Sequence, residues 1–431
     1  MVLREDNVIE TVTGDRSPHY EPFGWHHWPE HPWLSYQFRR GLGETQEGGG
    51  TVSECFAAAS RMIAGDTESW HREWQAVADR NFARGEDEAA RGHVRTAKNC
   101  WLRAADYYRQ AEFFLGAADP QRLATFTKME RASHSFLAHL SPPGEVLEIP
   151  YEGASLYAYF VSAGTSTERQ PCLISMGGLD SIKDEMWFMQ ARGALQRGIS
   201  VLMIDGPGQG GTLRRHGIVT RPDYEVPIGR CVDYLMSRRD VDPSRIAFCG
   251  SSLGGYYAAR AASREPRLAA CVSHGAIWSI HEFWKNADER HGLAGYIKWV
   301  FGVKTMADAI ERSRRSRSTA SSRTCGVHTS SCTAATTSSA CRRPRESTST
   351  RTRTASTSHC GSSRRRRRAP NTASTTTRPS ARNSSAIGWP TCSGSISARS
   401  WLACSRDRPR GMPDRSSSPR PCLSAGDPAT P

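Results

Sequence analysis

Arg245-Ile246-Ala247-Phe248-Cys249-Gly250-Ser251-Ser252-Leu253-Gly254-Gly255 is the stretch whose reading decides the fold. The mostly apolar run that ends at Gly250 reads as a short buried strand. A Gly-x-Ser-x-Gly turn centred on Ser252 follows, and Tyr256-Tyr257-Ala258-Ala259-Arg260-Ala261-Ala262 reads as helix. Strand, tight turn and helix together form a nucleophile elbow, which lifts a serine hydroxyl off the strand end in a strained backbone conformation. The glycines let strand and helix approach closely. The N–H of Leu253, at the helix start, then points where an oxyanion would form. The alternative is a glycine-rich turn that only joins a strand to a helix.

Working outward, the chain changes texture at Pro142-Pro143-Gly144. Beyond it, Val146–Tyr151 and Leu156–Ser162 read as a hairpin, and Cys172–Met176, Ser200–Ile204 and Leu268–Ser273 as buried strands. Glu185–Gln196 and Pro227–Arg238 read as helices between them. Alternating strands and helices predict a mostly parallel sheet with helices on both faces. In such sheets chemistry sits at the carboxyl ends of the strands, where Gly177, Asp205, Ser252 and His274 fall. Residues 143–311 form this core, with a helical cap segment from about 277. Two glycines after the first buried strand, in Ser175-Met176-Gly177-Gly178-Leu179-Asp180, let the backbone approach a substrate oxygen. Gly178 is the first choice for a second oxyanion donor and Leu179 the next, with Gly177 beside them at the substrate. A simple turn is the competing reading.

Before the boundary, residues 52–142 read as an all-helical domain. Asp66 caps a helix starting at Thr67, and Val94, Ala97, Trp101, Ala104, Tyr108, Ala111 and Leu115 make one helical stripe. Residues 1–51 form an aromatic-rich segment. Its three close histidines, His26, His27 and His31, lie among prolines with no cysteine or aspartate, so an aromatic loop is expected rather than a metal site, and Gly48-Gly49-Gly50 reads as a hinge. The 13 cysteines lack the paired close spacing of a zinc site or a compact disulfide scaffold. No apolar run is long enough to span a membrane, and the first residues lack the apolar core of a signal peptide, so a cytoplasmic protein is expected. The net charge of +14 is unevenly spread. Residues 312–431 carry 23 arginines, no lysine and 4 acidic residues, whereas residues 1–311 carry 34 basic and 39 acidic residues. Any nucleic-acid partner would have to bind through that tail.

Three motifs resemble a known group: Gly177-Gly178-Leu179-Asp180-Ser181, Asp205-Gly206-Pro207-Gly208-Gln209-Gly210 and Gly250-Ser251-Ser252-Leu253-Gly254-Gly255. In this order they are similar to those of α/β-hydrolases with an N-terminal helical domain, the 2,6-dihydroxypseudooxynicotine hydrolase group and the fungal hydrolases that shorten polyketide pigment precursors. The helical stretch around residues 91–115 is similar too. The resemblance covers about residues 60–311. It implies an α/β-hydrolase fold and hydrolysis of a carbon–carbon bond beside a ketone, or of an ester, in a small molecule and without a cofactor. It also implies a substrate-site glutamate after the strand that follows the elbow. Glu282 is the candidate, with a surface acid of the cap helix as the competing reading. A membrane partner is not expected, and a homodimer is left open.

A nucleophilic serine needs a histidine base and an acid that orients it. In this fold they follow the serine in the order acid, then histidine. From Arg312 to Ser405 there is no aspartate and one glutamate, Glu346. After Ser252 the histidines are His274, His281, His291, His328 and His359, and His274 sits too close to its strand to be the expected base. The in-frame triad does not close. From Arg312 onward the chain is Arg, Ser, Thr, Ala and Pro, with no Phe or Tyr, a composition that predicts disorder and no further strand after Ser273. The genetic code suggests a cause. Taking the third base of each codon with the first two of the next, Arg323–Thr337 can read His-Val-Arg-Cys-Pro-Tyr-Leu-Ile-Val-His-Gly-Gly-His-Asp. The same shift across Ala369–Thr376 can read Thr-Glu-His-Cys-Gln-His-Asp. These are a buried strand with an acid-bearing loop and then a histidine loop, so a frameshift between Glu311 and Ser318 is expected, leaving the chain impaired. The rival class is a catalytically dead, hydrolase-like binding protein whose tail, through Arg364–Arg368, holds nucleic acid. The near absence of tail aromatics for stacking disfavours it.

Overall fold

Periodic apolar stripes and explicit caps build the first layer of the computed structural model, which describes residues 26–165, 168–275, 277, 279–316 and the backbone of 328–332. Its helices are α1 (Pro32–Glu44), α2 (Val52–Ala59), α3 (Thr67–Ala90), α4 (Val94–Glu112) and α5 (Pro120–Ala138). Thr51, Asp66 and Asp119 each accept a hydrogen bond from a first-turn N–H, which satisfies one of the orphan donors of a helix start. Trp70, Trp74, Tyr107 and Phe126 are buried together with Phe38 of α1. The aromatic loop before α1 joins this core: the His27 ring lies 4.9 Å from Phe38 and 5.6 Å from Phe56. The expected hinge is corrected, because Gly49 and Gly50 are buried. A Cβ on Gly50 would lie 2.9 Å from the Tyr107 hydroxyl, so the glycines serve close packing rather than motion.

The second layer is a seven-stranded sheet in the order β1-β2-β4-β3-β5-β6-β7. Its strands are β1 (Glu145–Tyr151), β2 (Ala154–Val161), β3 (Gln170–Met176), β4 (Ser200–Asp205), β5 (Val241–Ser251), β6 (Ala270–His274) and β7 (His328–Cys332). The hairpin β1–β2 is antiparallel and joins β4 antiparallel, and every other pairing is parallel. β4 is buried at all six positions, as a strand covered on both faces must be. The helices of this part are α6 (Arg192–Leu195), α7 (Gly210–His216), α8 (Glu225–Ser237) and α9 (Leu253–Ala262), followed by α10 (Ile280–Trp284), α11 (Ala294–Phe301) and α12 (Met306–Ser313). One apolar cluster ties β3, β4 and β5 to α8 and α9 and includes Trp284, Ile297 and Phe301 of the segment after β6. A second cluster joins Trp101 and Phe136 of the helical layer to Tyr159, Val201 and Met203 of the sheet. No helix among the described residues is long and apolar enough to cross a membrane.

Two expectations are corrected. Glu185–Gln196 is not one helix: Lys183–Glu185 is a 3-10 turn, Trp187–Ala191 a π-helical turn, and only Arg192–Leu195 is α-helical. The sheet also does not stop at Ser273. The backbone of β7 pairs in parallel with β6, His328 opposite Ala270 and Cys332 opposite His274. The rest of the expected Arg/Ser/Thr tail beyond Ser316 lies outside the described residues.

Candidate active site

β5 ends at Ser251 and α9 begins at Leu253, so Ser252 alone makes the turn. Its backbone lies at φ 56° and ψ −118°, a conformation that costs a non-glycine residue about 1–3 kcal/mol. The surroundings impose it. The Ser252 N–H donates to the His274 carbonyl at 2.8 Å, and the Ser252 carbonyl accepts from Gly255 at 2.9 Å and Tyr256 at 3.3 Å. A Cβ on Gly250 would lie 1.9 Å from the Gly254 carbonyl oxygen, and one on Gly254 would lie 2.3 Å from the Gly177 oxygen. Strand, helix and the loop after β3 therefore close on one another only because glycine stands at both positions. Ser252 is exposed while Ser251 and Leu253 on either side are buried. Leu253 opens α9, so its N–H has no intrahelical acceptor.

The loop after β3 brings Gly178 to the serine: a Cβ built there would lie 3.1 Å from Ser252 Cβ and 3.4 Å from Ser252 Oγ. Gly177, Gly178 and Leu179 are all buried. The turn after β4 supports this loop. Gln209, 4% exposed, donates its Nε2 to the carbonyls of Gly177 at 2.9 Å and Gly178 at 2.6 Å. Asp205, at the end of β4, accepts from the Lys183 N–H at 2.6 Å and the Gly211 N–H at 2.8 Å. Burial pushes its carboxyl above the ordinary range, with Lys183 pulling the other way.

Charge pairs pin the same loop to the helical layer. Asp180 accepts from Arg40 of α1 at 2.5 Å and from Arg109 of α4 at 3.3 Å. Arg109 also meets Glu185 at 3.0 Å. Burial works to raise the Asp180 carboxyl, yet Arg40 and Arg109 hold it below its ordinary range. Lys183, 1% exposed, lies 2.7 Å from Glu130 of α5, 3.1 Å from Asp184 and 3.3 Å from Asp205. Among the described residues no group of His, Cys, Asp or Glu could hold a metal ion.

Of the residues singled out by sequence, Ser252, Leu253, Gly177, Gly178 and Leu179 converge on one place. Glu282 lies elsewhere in character: its side chain is 58% exposed and pairs with Lys285 at 2.7 Å. His274 directs Nδ1 to Ser251 Oγ at 3.4 Å, and Ser251 Oγ also accepts from Gln190 Nε2 at 3.0 Å. Burial lowers the His274 pKa. Sequence reasoning missed Gln209 and Lys183. The first lay in a quoted motif, but its amide contact is visible only once β3 and β4 are neighbours.

The Esterase FrsA-like family profile matches residues 61–337, a span that continues past Glu311 and through β7. The chain is 37% identical over 265 residues to the hydrolyase poxO of Penicillium oxalicum, a match spanning 59% of this chain and 62% of that protein. The chain therefore matches less than two thirds of that relative's length. It is 32% identical over 317 residues to the 20-hydroxy-prefusarin hydrolase FUS2 of Gibberella moniliformis, covering 64% and 75% of the two chains. Among solved structures, 2,6-dihydroxy-pseudo-oxynicotine hydrolase superposes with a TM-score of 0.57 at 28% identity, over 64% of this chain and 75% of that one. With its mostly parallel sheet, its elbow and its helical layer, the chain belongs to the FrsA-like esterase family of α/β-hydrolases.

Proposed function

We propose that this protein is a serine hydrolase of small molecules, cleaving a carbon–carbon bond beside a ketone or an ester bond. Ser252 is the nucleophile, the N–H groups of Leu253 and Gly178 bind the oxyanion, and Gly177 and Leu179 flank the substrate carbonyl. The observation that carries the reading is the strained, exposed Ser252 held against Gly178. A carbonyl carbon attacked by Ser252 Oγ would place its oxygen between two backbone segments already fixed, so charge could develop there without reorganisation. The names of FUS2 and of 2,6-dihydroxy-pseudo-oxynicotine hydrolase support the hydrolase class. Glu282 is left outside this machinery because its carboxylate faces solvent.

The base and its acid are proposed to be encoded out of frame. β7 supports this. The shifted codons that read Tyr-Leu-Ile-Val fall between His328 and Cys332, the stretch that pairs with β6. A parallel strand covered on both faces reads as a continuous apolar run, which the shifted frame supplies and His-Thr-Ser-Ser-Cys does not. The shifted Gly-Gly-His-Asp then follows at the carboxyl end of the strand, the end at which Ser252 follows β5. As written, the chain keeps the nucleophile and oxyanion donors and lacks the proton acceptor, so Ser252 attacks as an ordinary alcohol. The test is to sequence the encoding DNA and to compare this chain with a frame-restored one on aryl esters and β-diketones. Restored turnover that vanishes in Ser252→Ala is the expected result. An intact natural frame, or restored turnover that survives Ser252→Ala, overturns the reading.

A further inference from the structure

We infer that Gln209 is a positioning residue for the oxyanion hole, an amide clamp that sets the direction of the Gly178 and Leu179 N–H groups. The inference rests on the reading of Ser252 as nucleophile. Its basis is the geometry of two consecutive peptide units. The carbonyl of Gly177 shares a planar unit with the N–H of Gly178, and the carbonyl of Gly178 shares one with the N–H of Leu179. Both units are trans, since the cis peptide among the described residues is Ser141–Pro142. In a trans unit the C=O and N–H point in opposite directions. A single nitrogen, Gln209 Nε2, receives both carbonyls, at 2.9 and 2.6 Å. Both N–H groups are therefore turned away from Gln209, and Ser252 lies against Gly178.

A clamp is needed at this place. Two adjacent glycines leave the peptide between them free to rotate, so a donor pair built on them is aimed only if something holds the carbonyls. Gln209 can do so because its own position is fixed. Its N–H donates to the Gly206 carbonyl at 2.9 Å, and the Gly208 N–H donates to Ile218 at 2.8 Å. The Tyr224 hydroxyl donates to the Pro207 carbonyl at 3.0 Å, and Asp205 holds the Gly211 N–H. The orientation of the amide follows from the same contacts. Turned over, it would set Oε1 against two carbonyl oxygens, whereas as placed it leaves Oε1 buried with no hydrogen-bond partner among the described residues. Both carbonyls are satisfied at the expense of one acceptor.

The experiment measures kcat and KM for p-nitrophenyl butyrate in the full chain, its Gln209→Met and Gln209→Glu variants, and a frame-restored chain with and without Ser252→Ala. Oxyanion donors act even where the base is missing, so slow turnover still reads them. Gln209→Met is expected to lower kcat by about 10²-fold, as loss of an oxyanion donor does, with KM little changed. Gln209→Glu is expected to match that loss at neutral pH, where a carboxylate repels both carbonyls. It should recover relative to Gln209→Met as pH falls, because the neutral acid presents an O–H donor. A crystal structure of Gln209→Met should show at least one of the two peptide units rotated. Turnover kept at the wild-type rate in both Gln209 variants overturns the clamp alone, as do two unrotated peptide units. In a frame-restored chain, turnover unchanged by Ser252→Ala overturns the nucleophile reading and the role of the clamp with it.

Discussion

Lys183→Met is the sharpest test of how the helical layer is fastened to the loop after β3. The ammonium lies within 3.3 Å of three carboxylates from three elements: Glu130 on α5, Asp184 beside it and Asp205 at the end of β4. All three are buried. Removing the cation leaves Glu130 with Arg215, Asp184 with the Tyr159 hydroxyl at 3.0 Å, and Asp205 with two backbone N–H groups. Hydrogen bonds survive, but two carboxylates lose the cation beside them. Breaking a buried pair from one side costs about 3–5 kcal/mol, and that is the loss expected at pH 7 from the urea midpoint at constant m. The sign of the pH dependence is fixed as well. Burial works to raise the Glu130 carboxyl, but Lys183 and Arg215 hold it down from 4.5 to about 2. The stability this gives the wild type is complete above its unfolded pKa and is lost as pH falls toward 2. In the variant, buried Asp205, whose carboxyl burial already pushes up against the pull of Lys183, gains relief from protonation well above that range. The gap between the two proteins should therefore narrow from pH 7 to pH 5. A loss under about 1 kcal/mol at pH 7, below the range for a broken buried pair, would refute the reasoning. So would a gap that does not change with pH.

Gly250→Ala places a Cβ 1.9 Å from the Gly254 carbonyl oxygen. It should lower stability by about 1–3 kcal/mol through overpacking and remove esterase turnover, and a variant with unchanged midpoint and activity would contradict the elbow geometry. In a frame-restored chain, Ser252→Ala should reduce turnover on the order of 10⁴–10⁶-fold with an unchanged circular dichroism spectrum. Glu282→Gln removes an exposed pair worth about 0–1 kcal/mol and should leave kcat and the unfolding midpoint near wild type. A fall of kcat by more than about tenfold, a loss of some 1.4 kcal/mol of transition-state stabilisation, would return Glu282 to the substrate site.

What was legible in the sequence follows from the range of the interactions that determine it. The elbow, the helix cap at Asp66 and the β1–β2 hairpin depend on residues a few positions apart, and local pattern found them. The π-helical turn at Trp187–Ala191 was not legible in the local pattern, and Asp180 and Glu185, just ahead of it, are tied to Arg40 and Arg109, on helices well before it in the chain. β7 divides the question more finely. Its polar sequence argues against a strand, but a strand at a sheet edge meets two separate requirements. β6 needs a partner for its edge N–H and C=O groups, and any backbone can provide that whatever side chains it carries. Apolar cover for the sheet and a base for Ser252 are needs of side chains, which backbone pairing does not meet. A backbone in place at β7 is therefore compatible with a catalytic centre that lacks its proton acceptor. The strand argues only that the chain can complete its ladder, and the proposed chemistry of Ser252 rests on a base and an acid that the frameshift reading places out of frame.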